Sequence, residues 1–175
     1  MSEWVDRVDG QDEVLAVVRR HDAVRHGWLH RIAAIVCRDS AGRVLVHRRP
    51  PDASTFPGHI NWLLGGGVGV RETYESAAAR ELAEEAGVSG QPRFLFKFLC
   101  DGRISPYWLA IHEVEVPGPI HPCTDEIDGH AWVTDSELHD LVRDEHFVPD
   151  AREAYERYLA LHAPAVPQGA ARGLS

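Results

Sequence analysis

Glu81, Glu84 and Glu85 place three carboxylates within the run Arg80-Glu81-Leu82-Ala83-Glu84-Glu85. On an α-helix, residues three and four apart share a face, so Glu81 meets both of the others. Without a cation, like charges at that spacing repel by about a few tenths of a kcal/mol per pair. A hard divalent ion reverses the sign, because Mg2+ or Mn2+ takes carboxylate oxygens together with the phosphate oxygens of a substrate. The spacing therefore points to a metal site for a phosphorylated ligand. Arg80 has two readings here: a fork onto a neighbouring carboxylate that fixes its rotamer, or an exposed i,i+4 pair with Glu84.

The elements that must position these groups are legible around them. Thr73 is a candidate N-cap, Glu75 stands in the first turn where the helix dipole favours it, and Gly87 can close the helix in the left-handed conformation. Ala77, Ala78, Ala79 and Leu82 supply helix propensity and a small face that can approach a sheet. Before the helix, the apolar stretch 60–64 reads as a strand and Gly65-Gly66-Gly67 as a tight backbone turn that can approach a ligand. Segments 4–9 and 13–18 flank Gly10-Gln11-Asp12 as a hairpin, a short helix follows from Asp22, and 31–37 with 44–48 bracket a second hairpin. Further strands are expected at 94–99, 107–116 and 130–133, with helices at 135–142 and 149–161, the latter with Pro149 in its first turn. One domain over 1–162 is expected, 1–30 forming a hairpin-and-helix extension, and 163–175 reads as a frayed tail.

The full spacing is G-x5-E-x7-R-E-[aliphatic]-x-E-E-x-G-[aliphatic], filled by Gly66, Glu72, Arg80, Glu81, Leu82, Glu84, Glu85, Gly87 and Val88. This resembles the Nudix hydrolase signature without a mismatch, and a chance match is on the order of one in ten million at ordinary residue abundances. The resemblance implies an α+β Nudix fold, an α/β/α sandwich with a mixed sheet and the motif helix packed on it. It implies Glu81, Glu85, Glu84 and the Gly65 carbonyl as contacts of Mg2+ (or Mn2+), with Glu72 supporting them from behind and Arg80 and Glu84 serving catalysis. The implied reaction is cleavage of the diphosphate in a nucleoside diphosphate linked to another moiety, by a metal-activated water. Where many relatives read Glu-x-Gly-Glu before the helix, this chain reads Gly69-Val70-Arg71-Glu72. Arg71 is read as solvated, with a phosphate contact as the alternative.

The flanks also resemble the isopentenyl-diphosphate-isomerase branch of that superfamily, through Trp4-Val5-Asp6, Trp28-Leu29-His30-Arg31 and Phe56-Pro57-Gly58. Gly65-Gly66-Gly67 stands where those isomerases need a Cys-Gly-His run, so the proton-transfer groups are missing and hydrolysis is favoured. A non-catalytic ligand-binding module is the other alternative, and the intact acidic residues argue against it. Glu126, before the strand at 130–133, is the candidate general base. Arg48 and Arg49 are candidate phosphate contacts.

The formal net charge of −9 excludes generic binding to nucleic-acid polymers, which relies on a basic footprint, but a small phosphorylated partner, a nucleotide derivative, remains compatible. No apolar run reaches membrane-spanning length, and Met1 to Asp6 lacks the order of a signal peptide, so the expected compartment is cytoplasmic. Cys37, Cys100 and Cys123 form no CxxC pair and read as buried thiols. Eleven histidines show no zinc pattern; His26 or His30 could line a pocket, and His47 is expected on the exposed face of its strand. Trp62, Phe56, Tyr107 and Trp108 are read as core rather than as base-stacking platforms. Because strands of the N-terminal hairpin need an edge to pair with, a homodimer through it is a further hypothesis.

Overall fold

The computed structural model describes residues 3–162. The chain runs β1 (Trp4–Val8), β2 (Val14–Arg19), α1 (Arg20–His26), β3 (Arg31–Arg38), β4 (Val44–Arg48), β5 (Ile60–Asn61), β6 (Leu64–Gly67), α2 (Tyr74–Ala86), β7 (Arg93–Cys100), β8 (Tyr107–Glu115), β9 (Gly129–Val133), α3 (Asp135–Leu141) and α4 (Pro149–His162). The tail expected at 163–175 lies outside the described residues.

Strand β3 carries the unbroken apolar run Ile32 to Cys37, which suits a strand covered on both faces. Its alternate residues enter two cores. Ala33, Ile35 and Cys37 pack with Ala77, Ala78, Leu82 and Ala86 of α2, whereas Ala34 and Val36 join Leu138 of α3 and Ala151, Tyr155 and Tyr158 of α4. Helices thus cover both faces of one mixed sheet, ordered β5-β4-β3-β8-β7, with β6 on β3 and β9 on β4. β3 runs parallel to β8 and antiparallel to β6. On the α4 side, Trp62 is fully buried, donates from Nε1 to the Ala151 carbonyl at 2.9 Å, and meets Tyr155 and Tyr158 edge-on. The core reading of Trp62 holds.

Two expected features take a different form. Segment 60–64 is not one strand: β5 stops at Asn61, and the glycines read as a turn lie inside β6, with Gly65, Gly66 and Gly67 paired to Ala34, Ala33 and Ile32. The break falls at Leu63, whose N–H donates to Asn61 Oδ1 (3.1 Å) and whose carbonyl accepts from His47 Nε2 (3.1 Å). Side chains there replace the strand ladder. Likewise, β3 and β4 are no regular hairpin. They share one register pair, Arg38 with Val44, while β4 ladders along its whole length with β9.

The N-terminal hairpin is fastened to the sheet by Asp12. This residue, with φ of 67°, is buried and accepts from Arg31 Nε (2.6 Å), the Tyr74 hydroxyl (3.1 Å) and Lys97. Val8 N–H adds a bond to the Leu29 carbonyl (2.9 Å), and the Arg71 N–H donates to Asp6 Oδ2 (3.2 Å). Strand β2 pairs with β1 alone among the described strands and leaves Val14, Leu15 and Val17 exposed.

Candidate active site

Helix α2 is bounded as its sequence requires. Thr73 accepts from the Ser76 N–H, and Gly87 closes the helix at φ 66° with its N–H on the Ala83 carbonyl. Glu81, Leu82 and Glu85 are buried against β6, while Glu84 is exposed. The close approach of helix and strand depends on two glycines. A Cβ on Gly65, whose φ is 143°, would stand 2.1 Å from the Ala33 carbonyl oxygen, and one on Gly66 would stand 2.5 Å from Glu81 Oε1.

The carboxylates are held from several sides. Glu85 Oε1 accepts from the Gly65 N–H at 3.0 Å. Arg80 forks onto Glu72, Nε to Oε1 and Nη2 to Oε2 both at 3.0 Å, and also reaches the Gly67 carbonyl (2.9 Å), Glu81 Oε1 (2.6 Å) and Glu84 Oε2 (3.2 Å). Both readings of Arg80 are therefore realised, the fork being the better anchored. Burial alone would raise Glu72, but the Arg80 fork and the Gly69 N–H at 2.7 Å hold it below the usual carboxylate range.

Glu81 and Glu85 show the opposite behaviour. Burial is the main cause in both, and it pushes Glu85 up to about 8, with the neighbouring charges of Glu81 and Glu126 adding to the shift and Arg49 opposing it. Two buried carboxyls that resist ionisation are in the state that a nearby cation reverses. Among the described residues, no three His, Cys, Asp or Glu side chains stand converged around one point, because Glu81 is turned to Arg80 and Glu85 to Gly65. Donor type and space nevertheless fit a hard cation: oxygen ligands on one helix face, and a vacant Cβ position at Gly66 directly before Glu81.

These groups open on a cleft of about 1180 Å3, which also receives Arg49, Asn61, Cys123, Asp125 and Glu126. The loop carrying Glu126 is tied to the end of α2, with the His121 N–H on the Ala86 carbonyl and the Cys123 N–H on the Glu85 carbonyl, both at 2.8 Å. Arg49 is fixed by Thr55, through Nε to its carbonyl (2.9 Å) and Nη2 to its hydroxyl (3.2 Å). Arg48 and Arg71 have exposed side chains and do not line the cleft.

A family model of the NUDIX domain matches residues 28–158. The chain belongs to the Nudix family. It is 41% identical over 168 residues to an uncharacterized Nudix hydrolase of Streptomyces coelicolor, covering 94% of this chain and 93% of that one. It is 30% identical over 163 residues to the uncharacterized Nudix hydrolase YfcD of Escherichia coli, covering 93% and 89%. Among solved structures it is similar to that of DR0079 from Deinococcus radiodurans, with a TM-score of 0.77 at 29% identity over 89% of this chain and 98% of that one. As a Nudix pyrophosphohydrolase it is an enzyme of a family that acts on small phosphorylated substrates and generally needs divalent metal ions. The motif helix on a mixed sheet between helices is the expected α+β Nudix architecture. Among the described residues, no helix is long and apolar enough to cross a membrane.

Part of the Nudix cleft comes from outside the matched segment. Glu3, Arg20, His21 and Val24 line it, brought there by the N-terminal hairpin and α1. Arg20 carries no motif, and its place depends on Glu3, which bonds its side chain (3.1 Å) and its backbone N–H (2.9 Å). Sequence spacing offers no signal for a contact of that range. His47 was expected to be exposed and is instead 4% exposed, on the cleft wall, because β4 is covered on both faces. Burial pushes it down to about 4. Cys37 and Cys100 are buried as expected, whereas Cys123 is half-buried on the cleft wall.

Proposed function

We propose that this enzyme uses Mg2+ or Mn2+ to hydrolyse the diphosphate bond of a nucleoside diphosphate linked to another moiety. The supporting observation is the pair of buried carboxyls, Glu81 and Glu85, facing a cleft walled by Arg49 and Glu126. Glu81, Glu85 and the Gly65 carbonyl would hold the ion, with Glu84 as a further or water-mediated contact at the exposed edge. Bound there, a divalent cation supplies charge neutralisation for the diphosphate and lowers the pKa of a water.

The chain's own residues do the rest. Arg80 acts as a positioning residue: its donors are already engaged by Glu72, Gly67, Glu81 and Glu84, so it sets the carboxylates rather than reaching the substrate. Glu72 anchors Arg80 in turn. Glu126, exposed on the cleft wall and near enough to raise Glu85, takes the proton of the attacking water. Arg49 offers its remaining guanidinium edge to a phosphate oxygen. The enzyme acts in the cytoplasm, and the exposed apolar residues of β2, which pairs with β1 alone among the described strands, support a homodimer through that hairpin; a monomeric mass in solution removes that last point.

Phosphate-product release from a panel of nucleoside diphosphate sugars, dinucleotides, nucleoside triphosphates and coenzyme A derivatives, with magnesium or manganese, tests the reaction. Turnover that vanishes in Glu81→Gln is the expected result. A fully active Glu81→Gln enzyme would overturn the metal assignment. Glu126→Gln is expected to flatten the pH–rate profile, and an unchanged profile removes Glu126 from proton transfer.

A further inference from the structure

Beside the cleft lies a second, smaller and partly open chamber of about 180 Å3. The two meet at Arg20, Arg49, Asn61, Leu63 and Gly65, which line both. Gly65 is also the residue whose N–H holds Glu85, so the chamber begins beside the acidic cluster. An apolar protein cavity of about 150 Å3 takes a benzene ring, so this one has room for one ring system with the rest of the substrate outside it. Its walls are mostly apolar, with Ile32, Leu109, Val148 and Ala151 buried or half-buried and the rings of Phe56 and Tyr107 beside them.

Several polar groups interrupt that apolar wall, and one of them, the Asp150 carboxylate, is engaged by the Tyr107 hydroxyl (2.7 Å) and the Arg103 N–H (3.0 Å). His30 is 1% exposed, and its Nδ1 contacts the Trp28 carbonyl at 3.2 Å. A carbonyl only accepts, so Nδ1 carries the proton and the neutral ring presents Nε2 as a bare acceptor. Burial lowers the His30 pKa, which keeps the ring neutral. Nε2 has no hydrogen-bond partner among the described residues. Asn61 spends its Oδ1 on the Leu63 N–H, which leaves its amide N–H groups as donors. Ser105, 7% exposed, adds a hydroxyl.

We infer that this second chamber is a base-binding subsite, taking the heterocyclic base of the substrate with a ring N–H or amino group on His30 Nε2. The assignment rests on the hydrolase reading above and names where the base end of the substrate lies. A short branched alkyl group also fits the volume, but it would leave the buried His30 acceptor and Ser105 hydroxyl without a partner, which is unfavourable. A base with a polar edge satisfies them, and its faces suit the apolar wall. Arg20 and Arg49, at the junction, then flank the path of the diphosphate toward Glu81 and Glu85. Arg20 comes from outside the family-matched segment, whereas His30, Asn61 and Ser105, which would read the base, lie inside it.

The test uses β-methyl esters of nucleoside diphosphates, compared with the methyl ester of abasic ribose 5-diphosphate and with the methyl ester of 3-methylbutyl diphosphate, all with magnesium. At least one base-bearing ester is expected to exceed the abasic one by about tenfold or more in kcat/KM, the size of one buried hydrogen bond. The adenine ester should likewise exceed its purine counterpart, which lacks the amino donor, and His30→Phe should erase that difference. Equal rates for base-bearing, abasic and alkyl esters would overturn the inference while leaving the hydrolase reading intact. A second arm needs no turnover and no metal: wild-type protein with 15N-labelled histidine is titrated with free nucleosides. An upfield shift of His30 Nε2 with a nucleoside, and none with ribose or 3-methylbutanol, supports the subsite. No shift with any nucleoside overturns it, whatever the esters do.

Discussion

Adjacent glycines of β6 fail in different ways when given a methyl group, and the contrast tests how the site is built. In Gly66→Ala the new Cβ would meet Glu81 Oε1 at 2.5 Å, Cδ at 2.7 Å and Oε2 at 2.8 Å. Ordinary contact begins near 3.4 Å, so the carboxylate must retreat by about 0.9 Å. A side-chain end can do this, and fold stability should change by less than about 1 kcal/mol. Catalysis should not be so forgiving, since displacements of about 1 Å at a reacting centre remove roughly 100-fold in rate, or ~2.7 kcal/mol. In Gly65→Ala the obstacle is the Ala33 backbone, with the carbonyl oxygen at 2.1 Å and the Ala34 Cα at 2.8 Å, at a φ of 143°. There the strand pair itself must move, at a cost above about 3 kcal/mol. Thermal melts and metal-dependent diphosphate hydrolysis, measured on both variants, separate the two effects. A Gly66→Ala enzyme within threefold of wild type would show that the position of Glu81 is not what limits turnover.

Glu85→Gln should leave the metal-free protein at least as stable as wild type, because a buried carboxyl is replaced by a neutral amide, while the rise in Tm with manganese disappears; an undiminished manganese shift in the melt would exclude Glu85 as a ligand. His47, pushed down to about 4, takes up its proton in the unfolded chain before the folded one. Its contribution is thus present above pH 6.5 and lost as pH falls toward 4, a loss of roughly 3 kcal/mol, and urea melts of His47→Gln should lack that acid-side slope. Asp12→Ala should destabilise by about 3–5 kcal/mol, because it leaves Arg31 and Lys97 without their buried partner; hydrogen exchange should then quicken first in β1 and β2, and uniform protection would contradict the fastening role.

The motif helix was fully legible because its signals are local. Thr73, Gly87 and the acidic spacing act within a few turns of each other, and the structure returns the same cap at each end. The break at Leu63 was hidden, since it depends on His47 and Asn61 capturing both backbone polar groups of one residue, whereas the run 60–64 is apolar apart from Asn61. His47 was misplaced for a related reason: alternation along β4 predicts one wet face, but β9, β5 and the two helix layers leave Val44, Leu45, Val46 and His47 all buried. Arg20 and His30 enter the cavities through contacts made by a hairpin whose fastening point, Asp12, is 19 positions from Arg31 and 85 from Lys97. No periodicity records such a distance.

The spacing of the Nudix motif itself can be read as a length measurement. Going forward along β6 and its following loop, the partners on the motif run backward: Gly65 N–H meets Glu85, the vacant Cβ of Gly66 faces Glu81, the Gly67 carbonyl takes Arg80, and the Gly69 N–H takes Glu72. A strand advances about 3.3 Å per residue and a helix about 1.5 Å. From Gly65 to Gly67 the strand therefore covers roughly 7 Å, and from Glu85 back to Arg80 the helix covers roughly 7.5 Å, so the two remain in step. Two residues of strand match five of helix, which is why the acidic positions must be counted from the glycines and cannot drift independently. The Gly65 N–H and the Gly67 carbonyl thereby fix Glu85 and Arg80 along the seam where strand and helix stay in phase.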